Sequence, residues 1–369
     1  VGWNVSEESF YKNASLAKTL NDVKIRASYG IVGNSSLNDY ASLAQYSSST
    51  YAGVASLYFG QAGNPDLRWE SSKKIDIGLN VGLWNNRITL EADYYKNTID
   101  GLILNAPQPS SKGIPGNSIA ANVGSLYNQG IELAISAGII NKGKFQWNAN
   151  FNIATLENKV TSLGTGGDIY PTSLSTFGIQ NITRVGYSVG SIFAVPTAGV
   201  NPANGNKLYI NRNNEKVQYN AVTKGFSYLD GGVAPVIDNY ADGRIQGPSL
   251  PTYYGGFNNN LTYGNFDLAI GIIFSGGNKL YNGTRATISD QRYFNNGTFI
   301  LDRWTTPGQV TDIPKLVWGD SFTGGFSSAN TSNVEDGSFV KLKNISLGYR
   351  VPVERIGLGK FISSARAYV

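Results

Sequence analysis

Two short motifs in this sequence have residue types that could do chemistry. Residues 186–190 read G-Y-S-V-G and fit the G-x-S-x-G nucleophile elbow, which needs a histidine base. The chain contains no histidine and no cysteine. Because the commonest general base and the thiol nucleophile are both missing, we predict that this chain is not an enzyme.

The second motif is a stretch that looks like a degraded calcium loop. Residues 238–245 keep positions one, five, six and eight of the EF-hand pattern. Tyr240 stands at position three in place of Asp or Asn, and Ser249 stands at position twelve in place of Glu. Asp238 and Asp242 are therefore weak candidates for a calcium site, and a plain turn is the alternative. We expect no other cofactor.

The elements that must position such residues are β-strands. Residues 71–98 and 128–155 alternate strictly between apolar and polar positions. For example, Asp76 separates Ile75 from Ile77, and a glycine separates Ile77 from Leu79. Side chains alternate faces along a strand, so each stretch is predicted to be a hairpin with one apolar and one polar surface. A membrane β-barrel needs such surfaces, with lipid outside and water or a plug inside.

The same alternation over the whole chain predicts about ten strands and an all-β, antiparallel transmembrane barrel. The predicted strands are 1–5, 22–31, 71–83, 87–98, 128–140, 144–155, 253–263, 265–277, 338–349 and 362–369. Every second connection is medium or long, and the longest are 32–70, 99–127, 156–252 and 278–337. Outer-membrane barrels show this asymmetry between short periplasmic turns and long extracellular loops. Within 156–252, residues 184–200 could hold a further strand pair or hairpin.

Eight charged or amide side chains are predicted to face the barrel lumen, because they alternate with the apolar positions. We interpret them as a surface for a plug or a polar substrate, and charge pairing with water contact is the alternative. Glycoside cleavage would need two carboxylates in one pocket, and nothing in the sequence isolates such a pair. The eight residues are Lys24, Arg26, Asp76, Glu91, Asp93, Glu132, Asn148 and Asn150.

Aromatic residues in and beside the long connections are candidates for ligand binding in an outer vestibule. Such rings can stack on sugar faces, and they can equally pack long loops against themselves. The candidates are Tyr240, Tyr253, Tyr254, Trp304 and Trp318.

The composition excludes several classes of protein. The 369 residues carry a formal charge of +5 without a dense Lys/Arg block, so we expect no nucleic-acid partner. The longest apolar run, at 268–274, is far too short for a membrane helix. Glycine, at 44 residues, and tyrosine, at 22, are both above average usage.

Short motifs in a fixed order over nearly the whole chain resemble a known family. Examples are N-P-D-L-R-W-E at 64–70 and S-F-V-K-L-K-N-I-S-L-G-Y at 338–349. The chain resembles the C-terminal part of the β-barrel of a SusC/RagA-type TonB-dependent transporter of Bacteroidetes. Further matching segments are 1–3, 6–10, 23–30, 93–95, 128–133, 265–268 and 302–305.

The resemblance implies a 22-stranded barrel, of which residues 1–369 would supply about the last ten strands except the final one. The plug domain has no counterpart in this sequence. The resemblance also implies a bacterial outer-membrane location, with membrane lipid around the barrel, and import of a large nutrient, either glycan or peptide. Implied partners are a SusD-like surface lipoprotein and the TonB complex, with a dimer of transporter–lipoprotein pairs as a further implication.

Two other classes of function stay open from the residues alone. One is a passive or structural outer-membrane barrel attached to a secretion or adhesion complex. The other is a soluble β-rich glycan-binding module, whose apolar faces would pair across a core. The alternation of short and long connections disfavours the soluble module, because a soluble sandwich has no reason to keep its long loops at one end.

Overall fold

The computed structural model describes residues 1–35, 37, 39–164, 167–170, 177–357 and 360–369. Up to position 155 the strands are β1 (Gly2–Asn4), β2 (Leu20–Asn34), β3 (Gln45–Tyr51), β4 (Val54–Gln61), β5 (Glu70–Leu83), β6 (Ile88–Pro107), β7 (Ser118–Lys142) and β8 (Phe145–Thr155). They continue with β9 (Glu157–Ser162), β10 (Asn181–Ile182), β11 (Ser191–Ala194), β12 (Thr197–Val200), β13 (Lys207–Ile210), β14 (Lys216–Asn220), β15 (Gly225–Tyr228) and β16 (Arg244–Gly247). The last are β17 (Tyr253–Tyr263), β18 (Phe266–Gly276), β19 (Lys279–Tyr281), β20 (Val334–Asp336), β21 (Phe339–Val351) and β22 (Ala365–Tyr368).

The helices are short. They are α1 (Ser9–Lys12), α2 (Asn239–Asp242) and α3 (Gly283–Ile288), with 3-10 helices at Val5–Glu7, Ser15–Lys18, Ser110–Lys112, Pro115–Asn117, Thr298–Asp302 and Thr331–Asn333. Among the described residues, no helix has the length and apolar character needed to cross a membrane.

One large antiparallel sheet organises the chain. Its strands follow the path β1-β2-β5-β6-β7-β8-β17-β18-β21-β22, and β9 pairs with β7 beside this path. The ten strands of the path correspond to the ten predicted stretches in the predicted order, so the all-β prediction is confirmed. Over the described residues β1 and β22 form the two edges, and no pairing closes the sheet into a barrel. The closed barrel and its 22 strands therefore stay predictions.

The strand register places apolar residues opposite apolar residues. Ile77 on β5 faces Ala27 on β2 and Tyr94 on β6, and Tyr94 in turn faces Ile131 on β7. One face of the sheet, the apolar face, thus carries Ile77 and Ile131, and both side chains are exposed. The opposite face, the polar face, carries the charged and amide residues of the same strands.

The connection predicted at 99–127 is mostly strand, so this boundary prediction was wrong. Strands β6 and β7 continue as a hairpin to Pro107 and Ser118, well beyond the ends of the alternating pattern. Their register shifts near Gly101, which has a φ of 67°. A bulge shifts the strand by one residue and reverses the faces of all later side chains, so the alternation is interrupted while the pairing goes on.

The other long connections fold into structures of their own. Strands β3 and β4 form a hairpin, while β10–β11–β16, β12–β15 and β19–β20 form three small sheets. Strands do occur within 184–200, as predicted, but β11 and β12 belong to two different sheets. We call residues 177–252 and 277–338 the loop module. In the chain the first segment lies between β9 and β17, and the second lies between β18 and β21. Tyr253 on β17 pairs with both Thr155 on β8 and Gly276 on β18, so the two segments adjoin the same end of the large sheet.

The main buried apolar core lies in the loop module. Tyr209, Val217, Tyr219 and Phe226 pack together with other buried residues of the first segment. Phe322 comes from the second segment, and its ring centroid lies 4.8 Å from that of Tyr219 and 5.3 Å from that of Tyr209. The two long connections are therefore joined through one shared core.

Candidate transport site

An ion-pair network crosses three strands on the polar face. The Arg26 guanidinium on β2 donates to Glu91 at 2.7 Å, to Asp93 at 2.8 Å and to the side-chain oxygen of Asn80 at 2.7 Å. Glu91 and Asp93 lie on β6, so the ion pair passes over the intervening strand β5. The residue below it is Gly78, where a Cβ atom would collide with both Arg26 and Asp93. Glycine at this position is what lets the charges meet.

The same arrangement recurs at the other end of the sheet. Arg366 on β22 donates through Nε to Asp267 on β18 at 3.0 Å, with a second contact from Nη2. Gly348 on the intervening strand β21 lies beneath this pair, and a Cβ atom there would meet both side chains. Strand glycines on the polar face thus permit ion pairs between strands that are not direct neighbours, which accounts for part of the high glycine content.

Four of the predicted residues converge on an acidic pocket. Its volume is about 390 Å³, and it is lined by the predicted residues Glu91, Asp93, Glu132 and Tyr254 together with Asn152. Glu132 lies directly opposite Asp93 in the register. Glu132 takes part in none of the ion pairs of the described residues. The nearby cation is shared between the other two carboxylates, so the pocket carries net negative charge.

The remaining predicted polar residues share this face without joining the pocket. Lys24 lies on β2 and Asp76 on β5, while Asn148 and Asn150 lie on β8 directly opposite asparagines of β17. Their placement agrees with the alternation, and their contact with a plug or substrate stays a prediction.

Asp238 and Asp242 both accept hydrogen bonds within the loops, and a calcium role for them stays a prediction. Asp238 caps helix α2, and its carboxylate accepts the backbone N–H groups of Tyr240 and Ala241 at 2.8 Å. Asp242 is buried and accepts from the backbone N–H of Arg212 at 2.7 Å and from its guanidinium at 3.2 Å. N–H donors therefore bind both oxygens of Asp242 and one oxygen of Asp238. Across the described residues no group of three or more potential ligands could hold a metal ion.

The five candidate aromatic residues do not form one site. Tyr240 packs edge-on against Tyr170 with ring centroids 4.9 Å apart. Trp304 donates from its indole N–H to the carbonyl of Pro202 at 2.8 Å, and its ring covers Gly205. Both rings are thus involved in packing within the loops.

The other three candidates lie elsewhere. Tyr253 and Tyr254 are the first residues of β17 rather than loop residues, and Tyr254 faces the acidic pocket. Trp318 is 84% exposed and borders a groove with Tyr293 and Phe294. A ligand role for each of the five stays a prediction.

A cavity that no sequence motif indicates lies inside the loop module. The cavity has a volume of about 330 Å³, and Lys207, Arg285, Gln291, Asp312 and Ser332 are among the residues that line it. Burial lowers the pKa of the Lys207 ammonium to about 8. Nothing in the sequence around Lys207 marks it, since a lysine that begins a short strand is ordinarily a solvated residue.

A sheet with an exposed apolar face, an ion-paired polar face and structured connections at one end has the design of a membrane-barrel wall. A family model described as TonB dependent receptor-like, beta-barrel matches residues 1–369. The chain belongs to this family of outer-membrane receptors.

Individual relatives confirm the resemblance to SusC and RagA. TonB-dependent receptor P3 of Formosa agariphila is 30% identical, over 97% of this chain and 35% of that protein. TonB-dependent receptor SusC of Bacteroides thetaiotaomicron is 27% identical, over 95% of this chain and 33% of that protein. A solved structure of the RagAB peptide importer in its closed-closed state superposes with a TM-score of 0.81 and 25% identity, over 100% of this chain and 38% of that one. The chain thus spans about a third of the length of these relatives.

Proposed function

We propose that this chain forms wall, lumen surface and extracellular loops of a TonB-dependent outer-membrane importer for a large nutrient. The observation that carries the proposal is the two-faced sheet. Its apolar face exposes large side chains over many strands, which a water-soluble protein would bury. Its polar face pairs charges, which suits contact with water, a plug or a polar ligand.

The finer architecture follows from the family. We propose that the sheet is completed by strands beyond its open edges β1 and β22, to give a barrel of about 22 strands of the plugged size class. Residues 1–369 would then be the C-terminal part of that barrel, with the plug domain and the final strand outside this sequence. The share of each relative that the chain covers, 35% in P3, supports this assignment.

The proposed mechanism involves no catalysis by this chain. A ligand enters at the end that carries the loop module, where a SusD-like surface lipoprotein closes over it. Displacement of the plug by TonB then opens a path along the polar face, past the acidic pocket of Glu132 and Tyr254. The transporter–lipoprotein pairs would associate as dimers. The RagAB structure is that of a peptide importer, which favours a peptide ligand for this chain. A glycan is the alternative.

Uptake by cells that contain the full receptor tests the proposal. We expect import of the cognate nutrient to require TonB, and the receptor to leave the outer membrane only with detergent, together with a lipoprotein. A passive barrel would show uptake that does not depend on TonB, and a structural barrel would show no uptake. A protein that is recovered in buffer without detergent would be a soluble module, and either result would overturn the importer proposal.

A variant pair addresses the polar face directly. Replacement of Glu132 by Gln removes an unpaired carboxylate from the acidic pocket, whereas Glu354→Gln removes an exposed one between β21 and β22. If the pocket lines the ligand path, the transport rate changes in Glu132→Gln and not in Glu354→Gln, at equal receptor levels. Equal rates in both variants would place the path elsewhere.

A further inference from the structure

The cavity in the loop module contains a lysine that forms no ion pair with a carboxylate of the described residues. Lys207 begins β13 and is only 3% exposed. Its ammonium donates to the hydroxyl of Ser332 at 2.6 Å and to the backbone carbonyl of Asp312 at 3.4 Å. Lys207 takes part in none of the ion pairs of the described residues, so none of their carboxylate oxygens lies within 4.0 Å of this ammonium.

A second cation lines the same cavity. Arg285 belongs to helix α3, and its guanidinium lies 4.8 Å above the ring of Phe299. It too forms no ion pair with the described residues. Among the described residues that line the cavity, Asp312 is the one acidic residue, so this lining carries one net positive charge.

An unpaired buried ammonium is costly, and folded proteins ordinarily pair such a charge or neutralise it. Here no described carboxylate forms an ion pair with the ammonium, although Asp312 lines the same cavity, and the space next to the charge is empty of protein atoms. The cavity also reaches the surface, because Asp312 is exposed. Its volume of about 330 Å³ falls in the range of small-molecule sites.

The lining also offers neutral and apolar groups suited to a small polar ligand. The side-chain oxygen of Gln291 accepts the backbone N–H of Val317 at 2.5 Å, which orients the amide and leaves its NH₂ as a donor. Phe299 and Ile300 supply an apolar wall. A site of this kind combines a few fixed polar groups with an apolar lining, and such groups set ligand orientation.

We propose that this cavity binds a small carboxylate-bearing molecule of about the size of a monosaccharide or an amino acid. Lys207 and Arg285 would hold the carboxylate, with the guanidinium providing paired N–H donors and the ammonium a compact charge. A singly charged anion balances the net charge of the lining. The site depends only on the geometry of the loop module, so it requires neither the lipoprotein nor TonB.

Binding measured by titration calorimetry on the full receptor in detergent tests the proposal. At pH 7 we expect glucuronate to bind and glucose, its neutral counterpart, not to bind. Lys207→Met and Arg285→Gln should each weaken glucuronate binding at least tenfold. The matched control is Lys216→Met, which removes an exposed lysine from the neighbouring strand β14.

Several outcomes would overturn the proposal. One is the absence of glucuronate binding, and another is equal affinity in Lys207→Met and the unchanged receptor. A third is tighter binding of inorganic phosphate than of glucuronate, which would assign the site to phosphate groups instead. Limited proteolysis checks that each variant keeps a folded loop module, and Arg285→Gln remains a test if Lys207→Met does not fold.

A purely structural lysine is distinguished by a pH profile. Because the pKa of Lys207 in the folded module without ligand is about 8, its ammonium loses a proton as pH rises from 7 to 9. The other charged groups that line the cavity are Asp312 and Arg285. Glucuronate affinity should therefore fall about tenfold between pH 7 and 9. A flat profile would remove Lys207 from the site.

Discussion

The large sheet and the loop module place the same kinds of residue in opposite surroundings. On the sheet, Ile77 and Ile131 are 52% and 57% exposed. In the loop module, Tyr209 and Val217 are completely buried. The loop module folds as water-soluble proteins do, around its own core, whereas the sheet leaves its apolar side chains for an external apolar solvent. One continuous chain thus forms both a sheet with an exposed apolar face and a module with a core of its own.

The two regions also differ in what holds them together. Strand pairing stabilises the sheet, and ion pairs such as Arg26–Asp93 join strands that are not adjacent. The module depends on the packing of aromatic rings around Phe322, together with hydrogen bonds between its two segments. Changes to the core should therefore affect only the module, and changes to the apolar face should affect only the sheet.

Loss of the Phe322 ring should have the largest effect. Phe322→Ala removes the ring that joins the two segments, and such substitutions cost about 3–5 kcal/mol in a core. Hydrogen exchange should show the loop module opening while the strands of the sheet remain protected. Trp318→Ala, at an exposed position, is the control and should leave exchange unchanged. Equal loss of protection in the sheet would mean that the two regions fold as one unit.

A charge on the apolar face should damage the sheet alone. Ile77→Arg places a guanidinium where lipid is expected, at a cost of about 2–4 kcal/mol near the middle of a bilayer. Folding into lipid vesicles, followed over a denaturant series, measures this cost. Asp76→Asn, one residue away on the polar face, should have little effect. An Ile77→Arg receptor that folds normally would argue against a membrane-facing surface.

The buried ammonium should make the loop module more stable as pH rises from 8 to 10. Burial lowers the pKa of Lys207 to about 8, whereas the pKa of an unfolded lysine is about 10.4. Between these values the unfolded chain binds one more proton than the folded module, so the free energy of unfolding increases with pH. We expect a gain of about 2–3 kcal/mol, measured by protease susceptibility of the module without ligand.

The Lys207→Met variant is the control for this pH dependence and should lack the gain. Above pH 10 the trend should reverse, because burial raises the pKa of Tyr219 to about 12 and that of Tyr209 above its usual value. The folded module then keeps protons that the unfolded chain loses, so stability falls as pH rises. A decrease that begins already at pH 8 would contradict the assignment to Lys207.

The smallest expected effect concerns the glycine beneath the first ion pair. Gly78→Val places a side chain between Arg26 and Asp93 and should separate them. A double-mutant cycle of Arg26→Gln and Asp93→Asn should give a coupling of about 0.5–1 kcal/mol, because both side chains are partly solvated. In the Gly78→Val background this coupling should fall to near zero. An unchanged coupling would show that the charges meet by another route.

The strands of the large sheet could be predicted because alternation is a local property. Each of the ten stretches carries a period of two, and one face of each strand must be apolar for the sheet to be stable in its solvent. The polar positions Arg26, Glu91, Asp93 and Glu132 therefore share one face of the sheet, and their contact with a lumen stays a prediction. Strand ends were predicted less well where a bulge interrupts the period, as at Gly101.

The candidate binding residues could be predicted only in part. Residue type alone does not separate an aromatic ring that packs loops, such as Trp304, from one that is exposed, such as Trp318. The acidic stretch at 238–245 resembles a calcium loop in its spacing, yet Arg212 pairs with Asp242. That arginine lies outside the motif, so no local reading could include it.

The sequence by itself determined which residues share a face of the sheet, because successive side chains alternate between the two faces along each strand. Only the tertiary structure decided what meets across that face and inside the loops. Phe322 reaches a core formed more than ninety positions earlier by Tyr209, Tyr219 and Phe226. Lys207 is similarly buried by residues from the second segment. Such contacts depend on chain segments distant in sequence, which carry no periodic signal of their partners.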